Sequence, residues 1–319
     1  MLNFLYCFDN GYNIQAQCSI YSLLENVDEK KNIYIIHKNK NDSNFINEKI
    51  TNHRYLNKIK VYKFKFEKDL FPNLENAHIT QATYYRLHIE NYLEDEIDFI
   101  TYLDGDIICF SNPIPQINKE IENLKRESNI ISANTENSIL DAVERLGNKT
   151  SRYFNAGVLI INFREWKNKS TTQNLLNLLK NEKRLLKFWD QDLLNIYFNG
   201  EYVEMSKLLN YKLHIQSFKK IKKKKIYELR DSGMIFIHYS GKFKPWTVKG
   251  IVHKKCIFYQ QIYKRLFEGD FHLDYNYKRN ALIDLIKSIF TLTIFQVDKP
   301  LKLTILVIIS LFKKNEKLY

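Results

Sequence analysis

Three short runs rich in Ile, Phe, Tyr and Val, Asn3–Phe8, Asn32–His37 and Ile59–Phe66, are interleaved with more polar stretches. The first of these, Ile14–Asn26, carries Ile14, Cys18, Tyr21 and Leu24 at helical spacing. Strands that alternate with helices are joined by crossovers, so the pattern predicts an α/β chain built on a mostly parallel, doubly wound sheet. Asn41–Asn52 reads as a helix or a polar loop, and Thr80–Leu93 and Trp166–Glu182 as helices. Asn129–Ala133, Val158–Phe163 and Met234–Ile237 read as further strands. No G-x-G-x-x-G follows the first strand, which disfavours a dinucleotide dehydrogenase. With 319 residues, 45% of them hydrophobic, the chain can bury a sizeable core, as one large α/β domain with an appendage or as two domains.

One further apolar run, Phe99–Leu103, stops abruptly on Asp104-Gly105-Asp106. Ligands of open α/β sheets bind just beyond the carboxyl ends of the strands, which puts this pair at the working edge. Two adjacent carboxylates repel unless a cation lies between them, and a hard divalent ion usually arrives bridged to phosphate. Gly105 lets a ligand approach the backbone closely. The pattern therefore predicts a metal-assisted diphosphate site, although Asp-Gly-Asp is also ordinary in exposed turns. His238 follows an apolar strand and is a candidate third ligand; Gly241 and Lys244 just after it could meet phosphate oxygens. Arg86 could reach the same edge from its helix, though a lone helical Arg is usually solvated. Asn155-Ala156-Gly157 gives a ligand close access before a core strand, or is simply a turn feeding it. Asp190 and Gln191 stand at the mouth of a helix, where the plain reading is an N-cap and its neighbour.

The net charge of +13 favours anionic partners: nucleotides, acidic lipid surfaces or nucleic acid. Lysine abundance throughout weakens the run Lys219–Lys225 as evidence for nucleic acid, and no recognition helix or RNA-binding aromatic signature accompanies it. Nucleic-acid binding is therefore not expected. Cys7, Cys18, Cys109 and Cys256 form no Cys-x-x-Cys pair or zinc spacing and read as reduced, buried thiols of a cytoplasmic protein. The N-terminus enters a strand directly, which argues against secretion.

Taken together, these residues resemble glycosyltransferase family 8, the group of bacterial lipopolysaccharide galactosyl- and glucosyltransferases that also resembles glycogenin. The resemblance covers roughly Leu2–Glu268. It rests on an ordered set: the strand ending in Asp9, His78-Ile79 through Tyr84-x-Arg86-Leu87, Tyr102-Leu103-Asp104-Gly105-Asp106, Phe154-Asn155-Ala156-Gly157-Val158, Asp190-Gln191-Asp192-Leu193-Leu194-Asn195, and His238-Tyr239-x-Gly241-x-x-Lys244-Pro245-Trp246. One Asp-x-Asp is a weak signal; the ordered set is a strong one.

The resemblance implies a GT-A fold, Rossmann-like with a mostly parallel sheet, and a UDP-hexose donor carrying Gal or Glc. It implies Mn²⁺, with Mg²⁺ as the alternative, held by Asp104, Asp106 and His238. By matching position Asp9 and Tyr12 would contact the uridine, and Arg86, Asn155, Ala156, Gly157 and Asp190 would surround the donor sugar. Gly241 and Lys244 would hold the phosphates. The family retains the anomeric configuration, and Gln191 falls on the β-face of the anomeric carbon. Because that residue is an amide, same-face attack by the acceptor hydroxyl is favoured over a covalent intermediate. Two departures are visible: Gly11 stands where relatives can have a polar uridine contact, which Asn10 could supply instead, and Gly105 leaves only backbone to meet the ribose.

Residues 1–268 are thus expected to form the catalytic domain and 269–319 a basic and apolar helical extension. Ala281–Val297 has one apolar helical face, and Leu301–Phe312 is almost wholly apolar before Lys313-Lys314, with Pro300 between the two. Neither supplies the roughly 20 apolar residues of a spanning helix. In-plane attachment to anionic lipid, on the cytoplasmic face of the inner membrane, is the favoured reading; a helical hairpin packed on the catalytic domain is the other. The acceptor is expected to be a saccharide or glycolipid such as lipopolysaccharide or capsule. Two rival functions are a haloacid-dehalogenase-like Mg²⁺ phosphatase and a non-catalytic UDP-sugar-binding protein. Against the phosphatase, Ile108 stands where such enzymes usually carry Thr or Val, and their motif comes early in the chain.

Overall fold

A computed structural model describes residues 1–65, 81–136, 140–147, 152–182, 184, 186–215, 232–241, 243–274 and 278–312. The lysine run 219–225, His78-Ile79 and Lys313-Lys314 lie outside the described residues. The strands are β1 (Asn3–Phe8), β2 (Lys31–His37), β3 (Leu56–Lys63), β4 (Phe99–Leu103), β5 (Ile107–Cys109), β6 (Ile131–Thr135), β7 (Phe154–Asn162), β8 (Val203–Glu204), β9 (Tyr211–Lys212) and β10 (Phe236–His238). Seven of them form one sheet in the order β3-β2-β1-β4-β7-β6-β8. The β1–β2, β2–β3, β1–β4 and β6–β8 pairs are parallel, and β7 runs antiparallel to β4 and β6. The expected α/β architecture with a mostly parallel sheet is therefore present, and β7 is buried along its whole length, as its continuous apolar run dictates.

A second sheet of three short strands, β5-β10-β9, closes one end. Its register sets the geometry of the site: His238 pairs with Ile107 across antiparallel β5 and β10, while β9 runs parallel on the other side with Lys212 opposite His238. A residue far along the chain is thereby brought beside Asp106 by main-chain hydrogen bonding alone.

Three local expectations differ. The segment over 80–93 winds as a 3-10 helix, Gln81–Asn91, because an apolar pattern over 11 residues does not separate a period of 3.0 from one of 3.6. The helix expected over Trp166–Glu182 is two, Phe163–Asn168 and Thr171–Asn181, broken where Ser170 takes a left-handed φ of 48°. Asp190 is not an N-cap. Phe188 occupies that position of the Trp189–Phe198 helix, and Asp190 lies buried in the first turn.

Beyond 268 the chain folds back as a helical hairpin, Lys278–Phe290 and Pro300–Phe312, joined by a 3-10 turn at Thr293–Gln296. Leu285, Ile294, Leu303 and Val307 pack with Val248, Ile251 and Val252, which precede the hairpin in the chain. That face is the packed side of the hairpin. The opposite face, with Phe290, Leu301, Ile305 and Phe312, is solvent-exposed. No helix among the described residues is long and apolar enough to cross a membrane.

Candidate active site

Strands β1 and β4 are parallel neighbours, so Asp9 and Asp104, each directly after its strand, emerge at the same sheet edge. Antiparallel β7 brings Gly157 opposite, and its carbonyl accepts from the Asp104 N–H at 2.9 Å. From the second sheet, the Tyr239 N–H approaches the Asp106 carbonyl at 3.3 Å.

One oxygen of Asp104, one of Asp106 and a ring nitrogen of His238 lie within 4.8 Å of one another. Each carboxylate has one oxygen committed elsewhere. Asp104 Oδ1 accepts from Tyr102 Oη at 2.6 Å and from Arg86 Nη2 at 2.9 Å. Asp106 Oδ2 accepts from Lys244 Nζ at 2.6 Å. Asp106 Oδ1, by contrast, is buried and accepts no hydrogen bond among the described residues; His238 Nε2 stands 3.5 Å from it. A buried carboxylate oxygen left without a donor is costly unless a cation meets it. Two carboxylates and one imidazole with such an orphan oxygen fit a divalent ion. The electrostatics agree. Burial pushes Asp106 up, but charge and hydrogen bonding, led by the Lys244 ammonium, outweigh it and hold the carboxyl below its ordinary value. Burial lowers His238, against the pull of Asp106 and Asp104, which favours the neutral imidazole that a metal needs.

Arg86 is buried at the other side of Asp104 and reaches Asp190 Oδ2 at 2.8 Å, the Ala156 carbonyl and the Tyr102 ring at 4.1 Å. Burial opposes its charge, and Asp104 and Asp190 more than restore it. For Asp190 burial wins: despite Arg86 and a hydrogen bond from Thr83, its carboxyl is pushed up to about 6. Gln191 Oε1 accepts from the Ala156 N–H at 3.0 Å and from Asn155 Nδ2 at 3.3 Å, and Gln191 Nε2 donates to Tyr153 Oη at 2.9 Å. Tyr153 in turn donates to Asp192, which Arg145 grips with both terminal nitrogens at 2.8 and 3.0 Å. Asn155 Nδ2 also meets Glu136, whose second oxygen pairs with Lys212 Nζ at 2.6 Å.

Asp9 is an N-cap: its Oδ1 accepts from the Gly11 N–H at 2.9 Å and starts the 3-10 turn Asn10–Tyr12. Asn10 Oδ1 is buried with no hydrogen-bond partner among the described residues. Tyr12 packs edge-on against Trp246, 5.7 Å between ring centroids. A Cβ on Gly105 would come within 3.2 Å of the Tyr12 ring, so the missing side chain at 105 makes room for that ring. Gly241 lies in a turn with φ at 93°.

Asp104, Asp106, His238, Lys244, Arg86, Asp190, Gln191 and Asn155–Gly157 are thus joined in one contact network, with Tyr12 close enough to feel the charges of Asp106, Asp104 and Asp9. Sequence reading missed Thr83, Glu136, Tyr153, Asn210 and Lys212, and left Tyr102 and Asp192 without a role. Tyr102 could have been suspected from its place two residues before Asp104; Asn210 carries no local signal.

The sequence model of Glycosyl transferase family 8 matches residues 3–250. A lipopolysaccharide 1,2-glucosyltransferase of Escherichia coli is 31% identical over 247 residues, covering 75% of this chain and 71% of that protein. A lipopolysaccharide 1,3-galactosyltransferase of Salmonella typhimurium is 29% identical over 212 residues, 60% of this chain and 57% of that one. Among solved structures, galactosyltransferase LgtC in complex with donor and acceptor sugar analogs superposes with a TM-score of 0.62 at 20% identity, covering 83% of this chain and 96% of LgtC. That likeness gives the fold as GT-A.

Proposed function

The chain belongs to glycosyltransferase family 8, and from that premise we propose a retaining hexosyltransferase that moves Gal or Glc from a UDP-sugar to a saccharide acceptor of the lipopolysaccharide or capsule kind. The observation that carries this reading is the convergence of Asp104, Asp106 and His238, with a buried Asp106 oxygen that meets no hydrogen-bond donor among the described residues. These three residues would hold Mn²⁺, or Mg²⁺ in its place. When bound, such an ion neutralises negative charge on the departing diphosphate. The phosphatase reading falls with family membership.

The chain's own residues supply the rest. Lys244, whose Nζ lies 2.6 Å from Asp106 Oδ2, would add positive charge beside the diphosphate as the sugar–phosphate bond breaks. Arg86 holds Asp104 and Asp190 together, so the metal side and the sugar side of the pocket share one buried cation. Both lone pairs of the Gln191 amide oxygen are engaged by Ala156 and Asn155, which leaves it a poor nucleophile. That supports attack by the acceptor hydroxyl on the face the phosphate leaves, the departing phosphate taking its proton, with Asp190 stabilising the oxocarbenium-like sugar. Asn10 Oδ1, buried without a donor among the described residues, suits an N–H of the uracil ring. The identities of the Escherichia coli and Salmonella typhimurium relatives leave Glc and Gal as the donor sugars to test. The exposed apolar face of the tail hairpin supports attachment to anionic lipid at the cytoplasmic membrane face.

Incubation with Mn²⁺ and a panel of UDP-sugars tests the reading. Slow release of UDP from UDP-Gal or UDP-Glc is the expected result. Hydrolysis of UDP-GalNAc alone would overturn the sugar assignment, and nucleotide binding without turnover would make the protein a non-catalytic UDP-sugar binder.

A further inference from the structure

We propose that Asn210 is a positioning residue which locks His238 in the tautomer that carries its proton on Nδ1, so that the Nε2 lone pair is presented to the cation site. Asn210 ends the 3-10 turn Lys207–Asn210 and enters β9, the strand laid parallel to β10, which puts its side chain beside His238. Both residues are buried, and Asn210 Oδ1 lies 2.9 Å from His238 Nδ1.

The direction of that hydrogen bond follows from the surrounding donors. The Gly157 main-chain N–H donates to one end of the Asn155 amide at 3.0 Å, and a main-chain N–H cannot be reversed, so that end is oxygen. The Asn210 atom that meets the same oxygen at 2.9 Å must then be its NH₂ group. The other end of Asn210, the one facing His238, is therefore its carbonyl oxygen, an acceptor only. His238 Nδ1 must carry the hydrogen, and Nε2 is left with a bare lone pair, 3.5 Å from Asp106 Oδ1. The same amide chain is fixed at its far end by the Ala156 N–H on Gln191 Oε1, with Asn155 Nδ2 converging on that oxygen. Two main-chain donors, the Gly157 and Ala156 N–H groups, thus orient Asn155 and Gln191, and Asn155 passes that orientation on to Asn210.

In water a free imidazole favours a proton on Nε2, the atom the site needs bare, so the protein must hold the other tautomer. A partner on the far nitrogen of a metal-binding His sets both its tautomer and its ring angle, and losing one typically weakens metal binding roughly 10- to 100-fold. The inference rests on the metal-site reading given above, and its test separates the two.

Long-range ¹⁵N–¹H correlation spectra of ¹⁵N-histidine-labelled, metal-free protein at mildly alkaline pH report the His238 tautomer directly. Titration with Mn²⁺ in the presence of UDP reports the site. The wild type should show the Nδ1–H pattern. Asn210→Leu should lose that pattern and bind Mn²⁺ roughly 10- to 100-fold more weakly. Asn210→Asp, which still accepts from Nδ1 but no longer donates to Asn155, should keep the tautomer and most of the affinity. An Nε2–H pattern in the wild-type protein overturns the inference whether or not the variants fold, and so does an Asn210→Leu protein with unchanged tautomer and affinity. A wild type with the Nδ1–H pattern that takes up no Mn²⁺ would bear out the tautomer lock and overturn the metal reading.

Discussion

Gly157 and His238 are in direct contact: a Cβ on Gly157 would lie 3.0 Å from His238 Nδ1 and nearer still to Cε1. The imidazole cannot swing aside, because Asn210 holds its far nitrogen and β10 its backbone. Gly157 lies where the β6–β7 register breaks, yet its own main chain is held: its carbonyl accepts from the Asp104 N–H at 2.9 Å and its N–H donates to Asn155 Oδ1 at 3.0 Å. Gly157→Ala should therefore push the ring off the Asp106 side of the site. Forcing one methyl into a packed interior costs about 1–3 kcal/mol. Urea unfolding should show a loss of that size, and Mn²⁺ titration a weakening of at least about tenfold. Wild-type metal affinity in this variant would mean that His238 is not a ligand.

The sign of the Asp190 shift gives a pH dependence. Burial pushes its carboxyl up to about 6 against Arg86 and Thr83, from an ordinary 3.8. The folded protein thus binds this proton more tightly than the unfolded chain. The associated stability is fully present below the ordinary carboxylate value and is lost as pH rises through about 6. Two pH units correspond to on the order of 3 kcal/mol. Asp190→Asn removes the linkage. The unfolding free energy of the wild type minus that of the variant should fall as pH rises toward about 6 and be level above about 7. A difference that is flat over the whole range would place the Asp190 carboxyl in the ordinary range.

Lys244 competes for the carboxylate that the metal would use. Its Nζ lies 2.6 Å from Asp106 Oδ2 and 2.9 Å from the Tyr239 carbonyl. Lys244→Met should raise the Asp106 pKa, since Lys244 is the strongest influence opposing burial there. It should also have opposite effects on two binding steps. Mn²⁺ alone should bind more tightly, because a like charge is gone, whereas UDP at saturating Mn²⁺ should bind about 10- to 100-fold more weakly, the loss of one or two charge-assisted hydrogen bonds. Calorimetry on the two steps checks this, and unchanged UDP affinity would remove Lys244 from the diphosphate site.

Much of this site was legible because its chemistry sits at strand ends. Asp104 and Asp106 end β4 and precede β5, and His238 ends β10, so a periodicity reading that finds the strands also finds the carboxylates and the imidazole. The residues that fix their orientation were not legible. Asn210 acts only because β9 runs beside β10, and a two-residue strand leaves no trace in a hydrophobic pattern. Asp190 looked like a cap since acidic residues near a helix start usually are; its partner Arg86 comes from a distant 3-10 segment. The tail admitted two readings because a hairpin with one packed face and one bare face satisfies the sequence pattern of both.

That bare face yields the last prediction. Phe290 and Phe312 are each 83% exposed and Leu301 78%, while Ile305 lies between them on the outer side of the second helix. A cluster of large exposed apolar side chains on a basic segment is the arrangement of a helix pair lying in a lipid headgroup region. The full chain should float with vesicles containing an anionic phospholipid and less so with purely zwitterionic ones, and added salt should release it. Removing residues 269–319 is a poor test, because Val248, Ile251 and Val252 would lose the partners that cover them. Leu301→Asp combined with Ile305→Asp alters only the outer face. Flotation should drop sharply while UDP-sugar hydrolysis and the unfolding midpoint stay at wild-type values. A full-length chain that remains in the soluble fraction at low salt with anionic vesicles would leave the hairpin as packing alone.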